Sequence, residues 1–190
     1  MIRSDIELPR VPDDWLDGAS EGGGGPTRSP DVKAEKSDAA GGQLNALREI
    51  LKAEEGYRKD VYLDTRKIPT VGIGHKVLPD DNLKVGDRID EARVDQLFAK
   101  DGLASLNAAN AQAAEAGISD PDFVRRLAAV NFQMGSGWTK PFAETWRKVV
   151  NGDYSGAAEN LGRSLWAKQT PDRVKRFQQA LLALPPKNSH

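Results

Sequence analysis

Residues 60–75, DVYLDTRKIPTVGIGH, gather Val, Tyr, Ile and Thr on both sides of a polar turn, the pattern of a β-hairpin. After that stretch, apolar residues recur at helical spacing. The strands are therefore confined to one early hairpin, and the fold class is α+β, mainly α. Upstream, LNALREILKAEE sets Leu44, Leu47, Ile50 and Leu51 on one helical stripe, with Gly56 where a glycine ends a helix. Downstream, VLPDDNLKVGD reads as a loop. Asp90 then caps a helix opening EARVDQLFAKDGLASL, and an Ala-rich segment continues to about Gly117. PDFVRRLAAVNFQM has Asp120 as cap and Pro121 at its first position. Further helices are predicted over 142–151, 154–163 and 171–184, the last with Thr170 as cap and Pro171 at its first position.

Composition divides the chain near residue 43. Residues 1–42 are rich in Gly and Pro and carry 5 basic and 9 acidic groups, too little apolar matter to offset ordering entropy. They read as a flexible acidic arm, in which IELPRVPDDWL could serve as a short motif for a protein partner. The remainder, 43–190, buries roughly two-thirds of its unfolded surface and supports one core. Within it, residues 121–190 hold 11 basic against 5 acidic groups, an excess that favours an anionic partner. No apolar stretch reaches the length of a membrane span, so no stable membrane insertion is expected. The start, MIRSDIELPRVPDDW, lacks the apolar core of a secretory signal. With no Cys and two His, a disulfide framework and Cys/His zinc sites are excluded; no metal or cofactor is expected.

Three groups of residues could carry chemistry. Glu54 and Glu55 lie near the apolar stripe at a helix C-terminus, where the helix dipole disfavours a carboxylate. That placement raises a carboxyl pKa and suits a general acid. The plain alternative is a solvated last turn paired with Lys52, Arg58 or Lys59, and periodicity alone does not choose between the two glutamates. In a hairpin symmetric about Lys67, Asp64 and Thr70 face each other, a carboxylate and a hydroxyl able to hold a water; turn capping by Asp64 is the alternative. Gly72 and Gly74 mark a close approach along a strand that ends at His75, a residue more often structural than catalytic.

Together these residues read E-G-Y-R-K-D-V-Y-L-D-T-R-K-I-P-T-V-G-I-G-H, which resembles the active-site segment of the phage-type (T-even phage-like) lysozymes, a muramidase and endolysin family. The Glu-Gly, the Asp nine positions on and the Thr six further fall on Glu55, Asp64 and Thr70, ahead of Gly72-Ile73-Gly74-His75. Phe132-Gln133-Met134-Gly135, Asn160-Leu161 and the run Ser164 to Arg176, SLWAKQTPDRVKR, are similar to later family motifs, so the resemblance spans about 44–180.

The resemblance implies a two-lobed lysozyme-like fold, with a small N-terminal β-hairpin lobe, a linking helix near 90–104, a helical C-terminal lobe and a cleft between. It implies cleavage of the β-1,4 bond between N-acetylmuramic acid and N-acetylglucosamine in peptidoglycan. Glu55 would be the general acid; Asp64 and Thr70 would position water for inversion. Substrate-binding positions fall on His75, Phe132, Gln133, Thr145 and Asn160. Thr145 stands for a family Ser, Lys76 for an apolar residue and Leu165 for an Arg; only about a dozen residues separate His75 from the linking helix, which implies a reduced small lobe.

A monomer acting on peptidoglycan follows, without nucleic acid as partner. It would be made in a bacterial cytoplasm and reach the periplasmic wall through a holin pore, a virion or a secretion system. The other function classes are a non-catalytic wall-binding or virion structural module, and a lytic transglycosylase, against which the intact Asp64–Thr70 pair argues.

Overall fold

The computed structural model describes the backbone of residues 30–187 other than Thr65, and side chains from residue 41 onward except those of Glu55 and Thr65. The motif predicted in residues 6–16 lies outside the described residues. Helix α1 runs Pro30–Glu55, strands β1 Arg58–Leu63, β2 Pro69–Gly72 and β3 His75–Lys76 follow, and then helices α2 Glu91–Glu115, α3 Pro121–Met134, α4 Ala143–Val150, α5 Tyr154–Gly162, α6 Leu165–Gln169 and α7 Pro171–Leu182. The mainly helical α+β class is as the pattern predicts. The first helix begins upstream of the compositional break, so the backbone of 30–42 is helical where the sequence reads as arm.

Leu47 and Leu51 bury the apolar stripe of α1, and Gly56, at φ 82°, turns the chain out of its last turn into β1. The sheet is antiparallel in the order β1-β2-β3, with Tyr62 opposite Thr70, Leu63 opposite Pro69 and Val71 opposite His75. Gly72 and Gly74 adopt positive φ, 68° and 75°, and with Ile73 make a tight turn between β2 and β3. His75 therefore opens a third strand instead of ending the second. The loop after β3 covers the free edge of β1, since Val61 N–H donates to Asp87 O (2.8 Å) and Ile89 N–H to Lys59 O (2.9 Å).

The predicted linking helix and the Ala-rich segment are one continuous helix, α2, with no glycine or proline strong enough to stop it before Gly117. It is the shared spine: β2 and β3 pack on its N-terminal half, α1 and α3 along it. The Asp90 carboxylate accepts from Arg93 N–H and that of Asp120 from Phe123 N–H, as the caps predict. Thr170 does not cap α7; its hydroxyl donates back to Trp166 O at 3.3 Å. Short α6, capped by Ser164, was too brief to leave a periodic signal.

The helical lobe centres on aromatic rings. Phe177 meets Phe123, Trp138 and Trp166 with centroids 6.0, 5.6 and 6.3 Å apart, and Trp138 also meets Trp146 edge-on. These tryptophans are buried in the core.

Candidate active site

The C-terminus of α1 presents the two glutamates side by side in sequence but in different settings. The Glu54 side chain is nearly buried; its Oε1 lies 2.5 Å from Arg126 Nη1 on α3 and 3.3 Å from Arg176 Nη1 on α7. Arg173 Nη2, also on α7, donates to the Glu54 carbonyl at 3.3 Å, satisfying one of the acceptors left open where a helix ends. Glu54 is thus taken up by guanidinium groups from two helices of the other lobe. Glu55 closes α1 just before Gly56; its side chain lies outside the described residues.

The hairpin is symmetric about Arg66, not Lys67. Thr70 pairs with Tyr62, and Asp64 N–H continues the ladder to Ile68 O at 3.0 Å. Lys67, at φ 61°, absorbs the turn that the sequence centred one residue late. Asp64 and Thr70 are therefore not opposite each other. They share a face as diagonal neighbours, a separation of about 7–8 Å between Cα atoms in such a ladder. Asp64 Oδ1 accepts from Arg66 N–H (2.9 Å) and Ile68 N–H (2.8 Å), so the turn-capping role is real. Its Oδ2 has no hydrogen bond among the described residues. Thr70 is buried and its hydroxyl donates to Ile68 O at 3.1 Å, which leaves only acceptor capacity on that oxygen.

His75 is buried with both ring nitrogens engaged. Nδ1 lies 2.6 Å from Asp101 Oδ2 on α2, and Nε2 lies 2.9 Å from Asp81 Oδ2. Burial acts to lower its pKa, but hydrogen bonds to Asp101 and Asp81 outweigh it and hold the imidazole above its ordinary value. Asp81 responds in the opposite sense. Burial pushes its carboxyl up, while His75, Leu78 N–H and Arg93 together hold it below the usual range. No ring nitrogen is left to meet a substrate, so the geometry makes His75 a fastener between β3 and α2.

Phe132 is half-buried on α3. A Cβ added at Gly74 would sit 3.8 Å from its ring, which places Phe132 under the β2–β3 turn where the small lobe meets the helices. Gln133 beside it has an Nε2 with no hydrogen-bond partner among the described residues. Asn160 is half-buried on α5, and Thr145 is 4% exposed inside the helical lobe. Asp64, Thr70 and Phe132 thus gather around the small lobe and its junction, while Thr145 faces the core. Two cavities, about 460 Å³ beside Gln43 and Val124 and about 350 Å³ beside Thr139 and Trp146, touch none of these residues. No group of three or more His, Asp or Glu side chains among the described residues is arranged to hold a metal ion.

The model of the phage lysozyme family matches residues 52–180, from the last turn of α1 through the sheet and the later helices into α7. The chain belongs to the phage lysozyme family. Among relatives, "Peptidoglycan hydrolase gp36" of Pseudomonas phage phiKMV is 30% identical over 65% of this chain, and the match spans 14% of the phage protein's own length. "Probable T4-type lysozyme 2" of Dictyostelium discoideum is 28% identical over 70% of this chain and 91% of its own length. "Pre-baseplate central spike protein Gp5" of Enterobacteria phage T4 is 29% identical over 72% of this chain and 28% of its own.

For this phage lysozyme relative, sequence reasoning missed Arg126 and the two aspartates around His75. Arg126 left a signal. It falls three residues after buried Phe123 on the apolar stripe of α3, where a cation demands a partner. Asp81 and Asp101 left none, because only the fold brings a loop and a distant helix to one imidazole.

Proposed function

We propose that this chain is a peptidoglycan-degrading glycoside hydrolase, a muramidase cleaving the β-1,4 bond between N-acetylmuramic acid and N-acetylglucosamine with inversion. Glu55 donates the proton to the leaving oxygen, and Asp64 with Thr70 holds the water that attacks the opposite face of the sugar. One observation carries the water site. Asp64 Oδ2 and the Thr70 hydroxyl are two acceptors on one face of the sheet, because the Thr70 proton is committed to Ile68 O. A water bound to both offers its two protons and turns a lone pair outward, the posture of a nucleophile activated by a general base. The commitment of Glu54 to Arg126 and Arg176 supports Glu55 as the acid, since the first glutamate is already occupied.

Phe132, Gln133 and Asn160 remain the substrate-facing candidates, with Gln133 carrying an unpartnered amide. The basic excess of residues 121–190 would draw the carboxylates of the peptidoglycan stem peptides to the helical lobe. No helix among the described residues is long and apolar enough to cross a membrane. We read the chain as a monomer that meets the wall after release through a pore, within a virion or by a secretion system, with residues 1–42, whose last part opens α1, taking a protein partner. The match to a phage spike protein favours one further reading, a structural module of a virion.

The test is clearance of outer-membrane-permeabilised Gram-negative cells by wild type and Glu55→Gln. Loss of the acid should lower the rate by about 10²–10⁴. Equal clearance by both removes Glu55 as the acid. Failure of both, with the protein still pelleting on purified wall, gives the binding module. New reducing ends identify hydrolysis, and anhydro-muramoyl ends a transglycosylase.

A further inference from the structure

We infer that Glu54, clamped by Arg126 from α3 and by Arg173 and Arg176 from α7, is a positioning residue for the general acid. The inference rests on the assignment of that role to Glu55.

Two carboxylates in succession at a helix C-terminus are unfavourable, because the dipole there is negative and the last carbonyls lack partners. Within α1 the last turn holds one basic residue, Lys52, whose ammonium sits over the Tyr57 ring. Relief comes from the helical lobe. Arg126 and Arg176 take the Glu54 carboxylate at 2.5 and 3.3 Å, and Arg173 takes its main-chain oxygen at 3.3 Å. The contacts therefore reach both the side chain and the backbone of the residue peptide-bonded to Glu55. Beyond Gly56 the chain turns directly into β1, so the last turn of α1 is fixed on one side by the small lobe and on the other by this clamp.

A proton donor must be held against the leaving oxygen to a fraction of an ångström, and a displacement of about 1 Å can cost on the order of 10²-fold in rate. Arg126 is 20% exposed and Glu54 9%, so the main ion pair is shielded enough to be rigid. The clamp also sets charge around the acid. Removing the Glu54 carboxylate leaves the guanidinium groups of Arg126 and Arg176 uncompensated by it, and positive charge favours the deprotonated form of a neighbouring carboxyl.

The experiment compares wild type, Glu54→Gln, Glu54→Asp, Arg126→Gln and Glu55→Gln on purified peptidoglycan. kcat, KM and the pH–rate profile are measured well below each variant's Tm, with folding checked by circular dichroism. Glu54→Gln and Arg126→Gln should each lose about 10-fold or more in kcat with KM within about twofold, the signature of misplacement and not of lost binding. The alkaline limb of the Glu54→Gln profile should move to lower pH. Glu54→Asp, which keeps the charge, should recover most of the rate. If folded Glu54→Gln and Arg126→Gln keep wild-type kcat and an unshifted profile while Glu55→Gln is inactive, the clamp is only structural and the inference fails. If Glu55→Gln is as active as wild type, the acid assignment itself falls.

Discussion

At the scale of residues, Asp64 carries two loads that a single substitution can separate. Oδ1 builds the turn through Arg66 and Ile68 N–H, and Oδ2 is the acceptor assigned to water. Asp64→Asn can keep the amide oxygen at the Oδ1 position and place NH₂ at Oδ2, preserving the turn and removing the base. We expect a Tm close to wild type with activity lowered by about 10²-fold or more, read by thermal melting and reducing-end release. Asp64→Ala should lower both, because the turn loses its two backbone hydrogen bonds. The sequence supported both roles for Asp64. It placed the hairpin centre one residue late because Lys67, a non-glycine residue at positive φ, gives no local sign of where a turn closes.

At the scale of elements, helix starts were legible where a short polar side chain precedes a proline or a periodic run, and then only in part. Asp120 and Thr170 look alike in the chain, each followed by Pro and then Asp. Asp120 accepts from Phe123 N–H at 2.7 Å, whereas the Thr170 hydroxyl turns back to α6 because that helix ends one residue earlier and offers Trp166 O. Asp120→Ala should therefore cost about 0.5–2 kcal/mol of stability, while Thr170→Ala should cost only a few tenths. Chemical denaturation of the two variants checks the contrast. Similar losses would mean that Thr170 caps α7 in solution. The length of α2 was hidden for a related reason: alanine-rich turns have strong helix propensity but little amphipathic contrast.

At the scale of the molecule, the small sheet is fastened to α2 through one imidazole and two carboxylates drawn from three separate places in the chain. His75 has its folded pKa raised, so its contribution is fully present below its unfolded value of about 6.5 and is lost as pH climbs through the folded one. Asp81 is lowered, and Glu91, bonded by Tyr57 and by Lys59 and Arg48, is lowered to about 2; their contributions are present above about pH 4 and are lost as pH falls through the folded values. Tm should thus be highest between about pH 4 and 6.5 and decline on both sides. Each unit by which the folded His75 value exceeds the unfolded one is worth about 1.4 kcal/mol. His75→Asn should flatten the alkaline decline relative to wild type; a slope unchanged by that substitution would remove His75 as its source. None of this clamp could be read from residues 75, 81 and 101, since their separation in sequence carries no trace of their meeting.

The aromatic cluster around Phe177 divides the molecule optically. Trp138, Trp146 and Trp166 lie in the helical lobe and the fourth tryptophan, Trp15, lies outside the described residues, while the small lobe offers Tyr57 and Tyr62. Once Trp15 is replaced by Phe, excitation at the red edge of indole absorption would report the burial of one lobe and pass over the other. If the sheet came loose first, tryptophan emission would stay constant while tyrosine signal and backbone ellipticity had already moved. The lobe that bears the water site would then have melted unseen by the commonest probe of protein unfolding.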